Sequence, residues 1–219
     1  MTNQLNKLNH MKLSFKQLIY LFTAFCTSLL IYRIYKSEGL SYIFLAWNLF
    51  LAFIPWWISN YLKKKERLGF VHIPLLVLWL LFLPNSPYIL TDLFHLRPRE
   101  YFPLWYDLVL VLSFALIGMM VFLKSLKDMF GILQKYIKPA YLAIIIPFIF
   151  WLISFGLYLG RYLRFNSWNV INHPFQLMRQ SFDILFEKDT IAFTFIFSIF
   201  LAFLYYISKP LLKSEHHEA

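Results

Sequence analysis

Apolar residues gather along the chain into six runs divided by short polar links. They cover residues 18–32, 40–59, 70–83, 105–123, 140–158 and 191–207. A helix crosses a hydrocarbon core of roughly 30 Å with about twenty apolar residues, so most of these runs have the length of a span. Trp56 and Trp57 close the second run and Trp105 and Tyr106 open the fourth, the positions where aromatic rings settle at a membrane boundary. The pattern predicts an all-α integral membrane protein with about six transmembrane helices in one domain over 18–208. Residues 1–17 form a polar leading segment and residues 209–219 a polar tail. A basic segment before a short apolar run also describes a secretion signal, but residues 28–35 hold no small-x-small cleavage pattern, so the first run is read as a retained span. Asn48, near the middle of the second run, is expected to hydrogen-bond between helices, worth about 1 kcal/mol, or to touch a ligand.

Two stretches break the apolar pattern with polar chemistry. In residues 83–96, Pro87 fits the first turn of a helix, Asn85 or Ser86 can cap it, and Pro98 ends it by disfavouring helix at Arg97. Tyr88, Thr91, Asp92 and His95 then fall at i, i+3, i+4 and i+7 and share one face. The preceding run is short, so a re-entrant arrangement with this helix is the alternative to a full crossing. In residues 160–170, Arg161 continues the face of Ser154 and Tyr158, and Arg164 stands one turn further out. Residues 174–187 carry Phe175, Met178, Phe182 and Leu185 on one face and Gln176, Arg179, Asp183 and Glu187 on the other. That suits a helix in the membrane interface or one packed across the mouth of the bundle. Short helices in the two large outer loops complete the expected architecture.

Composition and charge narrow the class. The chain is 60% hydrophobic and 15% charged, far from the soluble average of about 25% charged. Its net charge of +10 belongs to no basic domain separable from the apolar runs, which excludes nucleic acid as the expected partner. Thirteen of its 21 Lys and Arg fall on the side of the N-terminus and eight on the other, which places both termini in the cytoplasm and the two polar stretches outside. The sole cysteine, Cys26, sits in an apolar run and supports neither an intrachain disulfide nor a thiolate metal site.

The stretch Leu83-Pro84-Asn85-Ser86-Pro87-Tyr88 with Thr91-Asp92-Leu93 and His95-Leu96, followed by Gly160-Arg161 and Arg164-Phe165-Asn166-Ser167-Trp168, resembles a bacterial membrane-protein family catalogued as domain of unknown function 1361. The resemblance runs from the second span onward. It implies location in the bacterial cell membrane and brings no established activity with it. It also implies an acid where this chain carries Asn169, so that position offers no carboxylate.

Asp92 and His95 can pair as a base and its orienting acid, and Arg161 and Arg164 offer planar donors to phosphate or carboxylate. Tyr88, Thr91 and Asn166 are further candidate ligand contacts, and Asp107 can stand in the same layer. The structural alternative is a salt bridge from Asp92 to Arg161 that locks two helices together. No metal site is expected, because an Asp/His pair falls short of three or four protein ligands and only His173, in the second outer loop, lies on the side where it could add one. Walker, dinucleotide-binding, zinc-hydrolase and serine-hydrolase patterns are absent, and no cofactor is implied. Three functions fit: a membrane component whose outward polar layer binds an anionic or lipid-linked ligand in the cell envelope, an enzyme acting on a lipid-linked substrate at the outer leaflet, or a small transporter. The transporter is the poorest fit, since apart from Asn48 the span interiors carry little polarity and no pair of broken spans appears in corresponding halves.

Overall fold

A computed structural model of the chain describes residues 13–37, 39–98, 102–165, 172 and 174–211. The described chain is all-helical. Its helices are α1 (Phe15–Ser37), α2 (Phe44–Lys63), α3 (Ile73–Phe82), α4 (Asn85–Thr91), α5 (Leu104–Leu133), α6 (Pro139–Tyr162), α7 (Pro174–Ile184) and α8 (Lys188–Leu211). Short 3-10 turns at Phe70–His72 and Asp92–His95 extend α3 and α4.

Local chemistry sets several boundaries. Ser14 and Gln17 form a reciprocal capping box, Gln17 N–H donating to Ser14 Oγ at 3.3 Å and Ser14 N–H to Gln17 Oε1 at 2.8 Å, which starts α1 earlier than its apolar run. α6 opens with Pro139 directly after an extended Lys138, where the missing N–H costs nothing. The expected caps at Asn85 and Ser86 do not form. Pro84 keeps helical dihedrals, so the preceding turn supplies carbonyls to the N–H groups of Ser86 and Tyr88, and no orphan donors wait for a cap. The Asn85 amide instead donates to Phe82 O at 2.9 Å and the Ser86 hydroxyl to Ala52 O at 2.9 Å. α3, α4 and their 3-10 turns therefore join into one apolar segment, Phe70–His95.

Five segments are long and apolar enough to cross a membrane: Phe15–Ser37, Phe70–His95, Leu104–Leu133, Pro139–Tyr162 and Lys188–Pro210. α2, with 20 residues, is long enough but is not among them by composition, because Asn48, Pro55 and Asn60 dilute its apolar content. α5 runs ten residues past its expected end near residue 123. Lys124 pairs with Asp128 one turn on, and Leu126, Met129 and Phe130 continue the buried face.

α5 is the axis of the bundle. Its first half packs with α1 and α2 around Leu45, Leu49, Phe114 and Val121, and its second half with α3, α6 and α8 around Phe122, Phe130, Phe150 and Leu201. α4 lies between α2, α5 and α6. Glycine permits that wedge. A Cβ on Gly118 of α5 would stand 2.6 Å from Ser86 O, and one on Gly156 of α6 would stand 2.7 Å from Pro84 Cγ. Gly118→Ala is accordingly expected to destabilise the detergent-solubilised protein by the ~1–3 kcal/mol typical of overpacking, read as a lower melting temperature. Gly131→Ala, whose methyl group would meet nothing within 4 Å, should leave the melt unchanged or raise it slightly.

Candidate functional site

The α4 wedge ends in a polar layer at one end of the bundle. After Thr91 the helix tightens to 3-10 geometry, in which residues three apart eclipse, so Asp92 and His95 stand one above the other. Both face a cavity of about 320 Å³ bounded by α2, α4 and α6. Phe44, Pro84, Leu159 and Phe165 give it apolar walls, Asn48 and Tyr88 add polar groups, and Leu177 of α7 also lines it. A second hollow of about 350 Å³ shares Tyr88, His95 and Gly160 with the first and adds Arg161 and Arg164. The two make an inner, largely apolar chamber and an outer cationic one.

Arg161 is the hinge of the arrangement. Its Nη1 lies 3.9 Å from Asp92 Oδ1 while its Nη2 donates to His95 Nδ1 at 3.1 Å, and its guanidinium lies 5.2 Å from the centre of the Phe94 ring. A guanidinium has no acceptor, so His95 Nδ1 accepts and the neutral ring carries its proton on Nε2. Asp92, 2% exposed, takes its shortest bond from Asn48 Nδ2 at 3.0 Å. The Phe44 ring sits 5.6 Å from the His95 ring. Arg164 reaches the outer hollow from a left-handed backbone, φ 55°, a conformation that costs an L residue roughly 1–2 kcal/mol. The Phe165 N–H returning to Leu159 O at 3.2 Å holds this turn closed at the end of α6.

Several sequence candidates find other roles. Thr91 is buried and lines neither hollow; its hydroxyl donates to Tyr88 O at 2.7 Å, a local bond that removes it from the polar stripe. Asp107 is held by Arg33, Nε to Oδ1 at 2.7 Å and Nη2 to Oδ2 at 3.3 Å, in a pair buried between α1 and α5. Arg33 is thus part of the core and not a loop charge. Tyr158 turns to Tyr162 and Phe193, 4.6 and 5.5 Å between ring centres, and so departs from the direction taken by Arg161. Asn166, Asn169 and His173 lie outside the described residues. Among the described residues no three His, Cys, Asp or Glu side chains gather into a metal-binding group.

Two residues at the site carry a signal in the sequence that the polar pattern passes over. Gly156 and Gly160 form a G-x-x-x-G pair on α6, the spacing that lets helices approach closely in apolar surroundings. A Cβ on Gly160 would lie 3.2 Å from the Tyr88 ring, and both glycines line the inner chamber.

An all-helical bundle of apolar helices, with a carboxylate, an imidazole and two guanidinium groups around a cavity at one end, has the character of a membrane protein. The chain belongs to the family described as Protein of unknown function (DUF1361), which matches residues 47–204 and so takes in Asn48, Asp92, His95, Arg161 and Arg164. Neither a curated protein nor a solved structure matches the chain.

The ion pairs differ in tightness, and their variants should differ accordingly. Asp107→Asn leaves the Arg33 charge buried and is expected to cost about 3–5 kcal/mol. Asp92→Ala and Arg161→Ala should each cost less, in line with a 3.9 Å separation and a partly accessible guanidinium. In a double-mutant cycle on the melting of the solubilised protein, the Asp92/Arg161 pair should show coupling above about 0.5 kcal/mol; strict additivity would contradict the contact.

Proposed function

We propose that the chain is a six-span protein of the cell membrane, with both termini in the cytoplasm and an outward-facing cavity that binds the phosphate of a lipid headgroup or lipid-linked ligand in the cell envelope. The observation that carries this reading is the outer chamber, where Arg161 and Arg164 meet at the mouth of an apolar-walled cavity. Guanidinium groups match phosphate oxygens in pairs, and the inner walls suit an amphiphile better than a free inorganic ion.

The membrane setting rests on the outer surface of the bundle. Leu21, Phe25 and Ile31 of α1 and Ile191, Phe195 and Phe203 of α8 are large apolar side chains turned outward. α2 supplies the sixth crossing. Two of its polar groups have partners within the protein, Asn48 on Asp92 and Lys63 on Asp128 at 2.8 Å, which lowers their cost in hydrocarbon. The free-standing cations Lys64, Lys135 and Lys138 sit at the end away from the cavity, where the positive-inside bias puts the cytoplasm. An enzyme acting on a lipid-linked substrate at the outer leaflet is the second reading, favoured by His95 lining both chambers. In that reading the neutral His95 would act as a base at Nδ1, which a substrate frees by drawing Arg161 away from it.

Topology is tested with single cysteines after Cys26→Ala. Cysteines at Lys64 and Gln134 should be shielded from a membrane-impermeant maleimide in intact cells and those at Arg97 and Asn172 should react; the opposite pattern would invert the orientation. Ligand binding is tested by phosphorus analysis of lipid that co-purifies in mild detergent. Arg164→Gln should lower it about tenfold, a loss of one charge-assisted contact, with little change in melting temperature. Unchanged lipid in both Arg164→Gln and Arg161→Gln would remove the headgroup reading.

A further inference from the structure

Three carboxylates are buried among the described residues, and they are not equally satisfied. Asp107 receives two bonds from one guanidinium, and Asp128 has Lys63 at 2.8 Å and Lys124 at 3.6 Å. Asp92 has one amide bond from Asn48, and its cation stands at 3.9 Å, beyond hydrogen-bonding distance. A carboxylate can accept at about four positions, and Asp92 is the one of the three that lines a cavity. Arg161 meanwhile directs its short bond to His95.

This geometry constrains what can bind. A phosphate that draws on Arg161 competes with Asp92 for the same guanidinium, and a carboxylate left buried without a counter-charge is costly. A purely anionic ligand therefore works against itself here. A ligand that brings its own cation to Asp92 removes the conflict, because each charge in the site then has a partner. Phe44 and Tyr88 line the same chamber as Asp92, and aromatic side chains in the wall suit an organic ammonium better than a hydroxyl. A hydroxyl group could accept the geometry but would leave the charge unmatched.

Resting on the headgroup reading above, we infer that the ligand is a zwitterionic phospho-amine headgroup, its phosphate at Arg161 and Arg164 and its ammonium donating to Asp92. The full-length protein in mild detergent is titrated calorimetrically with glycerophosphoethanolamine and with glycerophosphoglycerol, which have the same phosphodiester but carry an ammonium in one case and a hydroxyl in the other. The ethanolamine compound should bind at least about tenfold more tightly, the scale of one charged hydrogen bond. Asp92→Asn should abolish that preference, and Arg164→Gln should weaken both compounds while preserving their ratio. The preference of the unmodified protein reads the point even where Asp92→Asn does not fold. Tighter binding of dihexanoyl phosphatidylethanolamine than of glycerophosphoethanolamine identifies a lipid as the source, and equal binding a free phospho-amine. Equal affinity for the two head compounds would overturn the zwitterion inference and leave phosphate recognition standing. Binding of neither compound nor of the dihexanoyl lipid, or binding indifferent to Arg164→Gln, would overturn the headgroup reading and this inference together.

Discussion

A carboxylate carried into an apolar bundle has to be met by positive charge, and this requirement decides which helices are neighbours. Asp107 on α5 fastens α1 through Arg33; Asp128, on the same helix but at its other end, fastens α2 through Lys63. Asp92 fastens the end of the α4 wedge to α6 through Arg161 and to α2 through Asn48. Leaving any of these charges alone in the interior would cost several kcal/mol, far more than a slightly different packing of leucines and phenylalanines. Charge pairing selects the arrangement, and apolar packing fills it.

Close approach of backbones is the second determinant, and it explains why the cavity lies where it does. α4 enters between α5 and α6 because Gly118 leaves room for the Ser86 carbonyl and Gly156 leaves room for Pro84. Hydrogen bonds then hold the neighbours in register. Trp79 Nε1 donates to Ser125 Oγ at 2.9 Å, and Ser125 donates in turn to Pro55 O at 2.9 Å, linking α3, α5 and α2. The wedge is too short to fill the whole space between α2 and α6, and the remainder is the inner chamber.

Helices were legible from the apolar runs because burial in a bundle and burial in lipid call for the same residues. Their ends were not, since ends depend on caps and ion pairs: Ser14 with Gln17 lengthens α1, and Lys124 with Asp128 carries α5 past its apolar stretch. At the site, spacing alone aligned Tyr88, Asp92 and His95, and the alternation of spans put Arg161 and Arg164 at the same end. Spacing could not foresee that Thr91 would bond its own backbone, that Arg161 would stand against both Asp92 and His95, or that Arg33 would claim Asp107. The Thr91 bond spans only three residues, whereas the two Arg contacts join residues 66 to 74 positions apart, beyond the reach of any local pattern.

α7 has two sides with different neighbours. Leu177 turns toward the inner chamber, while Phe175, Met178 and Phe182 turn away from the protein and are largely exposed. A helix with this division is seated from outside: in a bilayer, its outer face settles into the boundary between headgroups and acyl chains. The roof of the cavity then belongs partly to the solvent. Lateral pressure and curvature of the surrounding leaflet would then set how firmly Leu177 is pressed against the inner chamber, so that its shape would depend on the lipid as well as on the protein.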